Sequence, residues 1–120
     1  MQHIQQTIAS QNWEAVTVAM HQNGYVIVPQ LLSHSQCDEL KAGYNVPDAY
    51  RKTVVMERYR FGLGEYKYFN YPLPAIIQTI RESVYPRLVP IANAWMKVLN
   101  IETRFPDRFE ELQTLCHDNN

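Results

Sequence analysis

Apolar residues recur at Ile4, Ile8, Trp13, Val16 and Met20. That spacing places them on one side of a helix, with a break or a new cap near residues 10–12. Asn23-Gly24 ends the pattern, because glycine accepts the left-handed conformation that closes many helices. The β-branched run Tyr25-Val26-Ile27-Val28-Pro29 then predicts a short strand stopped by proline. Ser33 with Gln36 three residues on fits a capping box, so a second helical segment is predicted from Ser33 to about Gly43.

Residues 53–61 and 65–69 are rich in β-branched and aromatic side chains, and Gly62-Leu63-Gly64 lies between them. This predicts a β-hairpin with a short glycine-containing loop. Helical spacing returns in Ile76, Ile77, Ile80, Val84, Leu88, Ile91, Trp95, Val98 and Leu99. Pro86 and Pro90 fall inside that stretch, and an interior proline removes a hydrogen bond and crowds the preceding turn. Two helices, or a kink near residues 85–90, are therefore predicted. A last helix is expected with Pro106 near its first turn and Phe109, Leu112 and Leu115 on one face. The order is helix, strand, helix, hairpin, helices: an α+β fold, a mostly helical layer with a few short strands including the hairpin. Three short strands make a thin sheet.

The 120 residues suit one domain or part of one, 1–120. With 46% hydrophobic and 19% charged residues the composition is that of a folded chain. A net charge of −1 supplies no global attraction to nucleic acid or anionic lipid, so any such partner would need a local patch. No stretch reaches the roughly 20 apolar residues of a membrane span, and the first ten residues lack the basic start and apolar run of a signal peptide. Cys37 and Cys116 are too few and too far apart for a disulfide framework, and are expected to be reduced, buried thiols. A cytoplasmic protein is expected, without a membrane partner and without nucleic acid as the favoured one.

Chemistry is sparse. An iron site of the two-histidine, one-carboxylate type takes the form His-x-Asp or His-x-Glu with a distant second histidine. Two positions after His3, His21, His34 and His117 stand Gln5, Asn23, Gln36 and Asn119, none of them a carboxylate. His34 and Cys37 share a helical spacing, but a helix-start histidine beside a packed cysteine is the plainer reading. The hairpin is the unusual feature, since Arg58, Arg60 and Lys67 lie among Tyr59, Phe61, Tyr66, Tyr68 and Phe69. Cations beside aromatic faces can bind carboxylates, phosphates or stacked rings. They equally suit an amphipathic hairpin with rings inward and charges in water.

The opening Gly24-Tyr25-Val26-Ile27-Val28-Pro29-Gln30-Leu31-Leu32-Ser33 resembles that of many 2-oxoglutarate oxygenases. The run Val55-Met56-Glu57-Arg58-Tyr59-Arg60-Phe61-Gly62-Leu63-Gly64-Glu65-Tyr66-Lys67-Tyr68-Phe69 is more specific, with Tyr71-Pro72-Leu73-Pro74 and Tyr85-Pro86-Arg87-Leu88-Val89-Pro90-Ile91-Ala92-Asn93 after it. Together these resemble a bacterial group of prolyl-hydroxylase-like 2-oxoglutarate/Fe(II) oxygenases, from about Gly24 to the end. The resemblance implies that a complete member uses Fe(II) and 2-oxoglutarate and carries its iron ligands on a double-stranded β-helix that follows this region. No position here matches those ligands, so the β-helix is expected to be missing and the chain to be an inactive N-terminal part, binding no cofactor alone. Its partner is then a C-terminal catalytic half, or a second copy meeting exposed apolar surface. The substrate-contacting residues expected at the active-site rim are Arg58, Arg60, Tyr66, Lys67 and Tyr68. A non-catalytic interaction module is the alternative.

Overall fold

The computed structural model describes residues 1–118. In chain order it contains helices α1 (Gln2–Ala9), α2 (Trp13–Asn23) and α3 (His34–Ala42), strands β1 (Tyr50–Val55) and β2 (Glu65–Phe69), and helices α4 (Ala75–Val98) and α5 (Phe109–Asp118). The fold is α+β as predicted, helical apart from one antiparallel hairpin, with no double-stranded β-helix among the described residues. The chain divides into two compact units, one of residues 1–31 and 78–120, the other of residues 32–77.

In the first unit the break predicted near residues 10–12 is present, and the Asn12 side chain caps α2 by accepting from the Ala15 N–H at 3.1 Å. Gly24 closes α2 at φ +79°, and its N–H donates to the Met20 carbonyl. Residues 25–29 are not a strand, which corrects the expectation. The two strands of the described residues pair with each other in the second unit, and this run has no ladder to join. Its alternation survives all the same. Val26 and Val28 line a 310 Å³ apolar cavity with Ile8, Trp13, Val16, Ile80 and Val84, while Tyr25 and Ile27 are exposed.

From Gln78 onward α4 belongs to this unit, and it runs without a break through both prolines, which removes the two-helix alternative of the expectation. Pro86 and Pro90 are exposed, and so are Glu82 and Pro86, the residues one turn back whose carbonyls lose a donor. Water can satisfy those carbonyls, so the continuous helix leaves no buried acceptor unmet. At the C-terminus Asn100 turns left-handed (φ +58°), and the Ile101 N–H reaches back to the Met96 carbonyl at 2.9 Å. Asparagine tolerates that conformation better than most side chains, which fits it to close the helix. Pro106 lies just ahead of α5, near its first turn as expected, but does not start the helix itself. The irregular segment there is pinned to α4 instead. Asn93 donates to the Phe105 carbonyl (3.1 Å) and accepts from the Phe105 N–H (2.7 Å), and the Tyr85 hydroxyl donates to the Pro106 carbonyl (2.5 Å). Ile4, Ile8, Val16, Val89, Ile91 and Phe109 are the buried apolar residues of this unit.

In the second unit the capping box is formed: Ser33 accepts from the Gln36 N–H, and the Gln36 side chain accepts from the Ser33 N–H. The hairpin is there too, but displaced. Its first strand begins at Tyr50 and stops at Val55, so residues 56–61 are not strand. A 3₁₀ turn at Met56–Tyr59, left-handed Arg60 (φ +60°) and two positive-φ glycines, Gly62 and Gly64, make a nine-residue connection closed by Met56 N–H to Gly64 C=O at 2.8 Å. The partner strand is only five residues long, so a longer first strand would have nothing to pair with. Cys37 and Cys116 are both exposed, not buried as expected.

Candidate functional site

The register decides how the hairpin can act. Tyr50 pairs with Phe69, Lys52 with Tyr68, Thr53 with Lys67, Val54 with Tyr66 and Val55 with Glu65, with an irregularity at Arg51. Paired residues share a face, and neighbours along a strand point to opposite faces. Lys67 is thereby separated from Tyr66 and Tyr68.

The Lys67 face is occupied from within. Its ammonium donates to the Tyr44 carbonyl at 2.7 Å and lies 4.0 Å from the Tyr44 ring centroid and 5.1 Å from that of Tyr50. Tyr44 meets Tyr50 edge-on at 5.9 Å, and Tyr50 stacks on Phe69 at 5.2 Å. The Tyr44 hydroxyl donates to the Glu65 carboxylate at 3.0 Å. Partial desolvation first, then that bond and the carboxylate's charge, raise the Tyr44 hydroxyl above its ordinary value, so it remains a donor at neutral pH. An open groove of 620 Å³ runs along these residues and Leu40.

The opposite face carries Tyr66 and Tyr68, about two-fifths exposed, with rings edge-to-face at 5.7 Å. Partial desolvation, then Tyr68 through its charge and hydrogen bond, then Tyr59, raise the Tyr66 hydroxyl. Arg51, exposed, donates through Nε to the Phe69 carbonyl at 3.2 Å and holds its guanidinium 5.1 Å from the Tyr68 centroid.

The five residues expected at the rim are thus not one cluster. Tyr66 and Tyr68 share a face, Lys67 is engaged on the other, and Arg58 and Arg60 are exposed in the connection. Sequence reasoning missed Arg51, Lys52, Tyr44 and Tyr50. Starting the first strand at Thr53 left out the two cations just before it, although Tyr50-Arg51-Lys52 continues the same aromatic and basic character.

The described residues do not fit an iron ion: no three of their His, Cys, Asp or Glu side chains lie together so as to hold a metal. The histidines sit on four different helices, and His21 Nδ1 accepts from Trp95 Nε1 at 2.9 Å. No helix among them is long and apolar enough to cross a membrane.

Residues 64–120 match the model of a family described as oxygenase, catalysing oxidative methylation of damaged DNA. That stretch holds β2, α4 and α5, and the match supports an oxygenase-family relationship. The description is of DNA-directed oxygenases and does not single out the prolyl-hydroxylase-like group. Two uncharacterised proteins of Mycobacterium tuberculosis, from strains CDC 1551 / Oshkosh and ATCC 25618 / H37Rv, are each 35% identical over 49 residues. The matched stretch is 41% of this chain and spans about a fifth (21%) of the length of those relatives. No solved structure matches.

Proposed function

We propose that this chain is part of an iron- and 2-oxoglutarate-dependent oxygenase acting on DNA, and that its share of the work is to meet the substrate. The observation that carries the reading is the match of residues 64–120 to oxygenases of damaged DNA. The motifs around the hairpin, which resemble 2-oxoglutarate oxygenases, support the choice of cosubstrate. Because the described residues offer no metal ligands together, iron and 2-oxoglutarate would be held by a C-terminal catalytic half, in the same polypeptide or a separate one. The reaction of the assembled enzyme would be oxidative decarboxylation of 2-oxoglutarate to succinate and CO2 by O2, with the second oxygen atom hydroxylating the substrate, and its setting the cytoplasm.

The test is succinate formation from 2-oxoglutarate with Fe(II), ascorbate and an oligonucleotide carrying N-methylated bases. This chain alone should form none. Joined to a segment bearing His-x-Asp and a distal histidine from the same genome, it should form succinate, and more with the methylated oligonucleotide than without. Turnover by the chain alone would refute the substrate-layer role. A joined protein that binds iron and folds, yet forms no succinate, would refute the oxygenase reading.

One feature favours a second reading, an interaction module. Tyr25 and Ile27 are 66% and 77% exposed in a segment outside the described sheet, an apolar surface that a second copy could cover. A monomer by light scattering at 100 μM would remove that alternative.

A further inference from the structure

The hairpin concentrates positive charge that the whole chain conceals. Between residues 50 and 69 stand Arg51, Lys52, Arg58, Arg60 and Lys67 against Glu57 and Glu65, a net +3 in a chain whose total is −1. Lys67 is turned inward onto Tyr44, but Arg51 and Lys52 are exposed beside the tyrosine face, Lys52 directly across the ladder from Tyr68. That face offers Tyr66 and Tyr68, two-fifths exposed, and a guanidinium fixed over the second ring by a backbone carbonyl.

We propose that this face binds single-stranded nucleic acid, with bases stacked against Tyr66 and Tyr68 and phosphates paired by Arg51 and Lys52. The inference deepens the proposed function, on which it rests for the class of substrate. Exposed rings beside cations are what single strands use, because every base presents a π-face and every nucleotide a phosphate. In a duplex the base faces are hidden inside the stack and only groove edges are offered, which two tyrosine rings read poorly. An enzyme acting on a damaged base must in any case meet that base outside the stack. The cations set the polarity of the partner: an acidic protein would complement Arg51 and Lys52 but would leave the ring faces without flat groups to stack on.

The experiment is fluorescence anisotropy of a labelled twelve-nucleotide oligothymidine with the full chain, at 20 and 200 mM salt, beside a duplex of equal length. Variants are Tyr66→Leu, Tyr68→Leu and Arg51→Ala, with Lys97→Ala as a control cation on α4. Leucine keeps the apolar cover of Val54 while removing the ring, and circular dichroism confirms folding. The single strand should bind more tightly than the duplex. Each leucine variant should weaken it roughly 5- to 100-fold, and Arg51→Ala should lower the slope of log affinity on log salt by about one phosphate's worth. Lys97→Ala should leave both unchanged. The proposal is overturned if the single strand does not bind at 20 mM salt, if duplex binds as tightly, or if both leucine variants bind like the parent. Loss of binding with 2-oxoglutarate turnover by the joined enzyme intact would sink this inference and spare the oxygenase reading. Ring-dependent binding without turnover would do the reverse.

Discussion

Replacing Lys67 by methionine keeps an apolar stem of similar length and removes the ammonium. Two interactions go with it: the charged hydrogen bond to the Tyr44 carbonyl at 2.7 Å and the cation–π contacts to Tyr44 and Tyr50. A hydrogen bond to a charged group contributes about 1.5–3 kcal/mol, and a partly exposed cation–π contact about 0.5–1 kcal/mol. Lys67 is only half-buried, so solvent screening favours the low end, and we expect a loss of about 2 kcal/mol in hairpin stability. Expressed as hydrogen exchange, amide protection in β1 and β2 should fall roughly 30-fold, while amides of α2 and α5 in the other unit change little. A double-mutant cycle with Tyr44→Leu, which removes the ring but not the carbonyl, should return a coupling of about 0.5–1 kcal/mol for the cation–π share alone. If Lys67→Met changes hairpin protection less than threefold, the inward face does not hold the hairpin. A zero coupling with full destabilisation would assign the whole effect to the carbonyl bond.

Three further perturbations probe the first unit. Asn93→Ala deletes both bonds to the Phe105 backbone and leaves a half-buried N–H and C=O without them, so stability should fall by about 2–3 kcal/mol; a melting point lowered by under 3 °C would show that Asn93 does not anchor the segment before α5. Burial first, then Asp107, Glu111 and Cys116, raise the Tyr85 hydroxyl above its ordinary 10.0. The folded state therefore retains that proton longer than the unfolded one, and the contribution is whole below pH 10 and lost as pH climbs through the folded value. Urea midpoints from pH 8 to 11.5 should show Tyr85→Phe less stable than the parent at pH 8 by about 1 kcal/mol and the gap narrowing above pH 10; parallel curves would contradict this. Gly24→Ala meets no atom within 4 Å but must adopt φ +79°, so it should cost about 1 kcal/mol, and asparagine there should cost less; equal stability of all three would disprove a purely conformational origin.

Helix boundaries were the most legible part of the sequence, because they are written in local chemistry. Asn12, Ser33 with Gln36, and Gly24 each satisfy or release backbone groups within one turn, and each is where the residues placed it. The misreadings involve partners that local pattern cannot supply. Tyr25-Val26-Ile27-Val28 has strand composition, but a strand exists only beside another, and neither of the described strands lies in its unit. Pro86 and Pro90 look like breaks until their exposure is known, since water can serve the carbonyls they leave bare. The exposure of Cys37 and Cys116 was hidden for the same reason: small size and weak polarity permit burial without requiring it.

The candidate site shows the same division at finer scale. Composition alone located the hairpin as the chemically unusual segment, and Tyr66 and Tyr68 do share its outer face. Lys67 stood between them in sequence and so seemed part of the same surface, yet strand alternation had to send it to the other side. What the sequence withheld was the register. A first strand starting at Tyr50 rather than Thr53 brings Lys52 opposite Tyr68 and Arg51 over its ring, and removes Arg58 and Arg60 to the connection. The shift leaves Arg58 and Arg60 at the hairpin's tip and brings two other cations, Arg51 and Lys52, to its ladder. There, side chains are held by backbone pairing on two strands, and a cation so held can set the distance between a phosphate and a stacked base. Arg58 and Arg60, on a nine-residue connection with three positive-φ residues, can attract a polyanion but not fix its register.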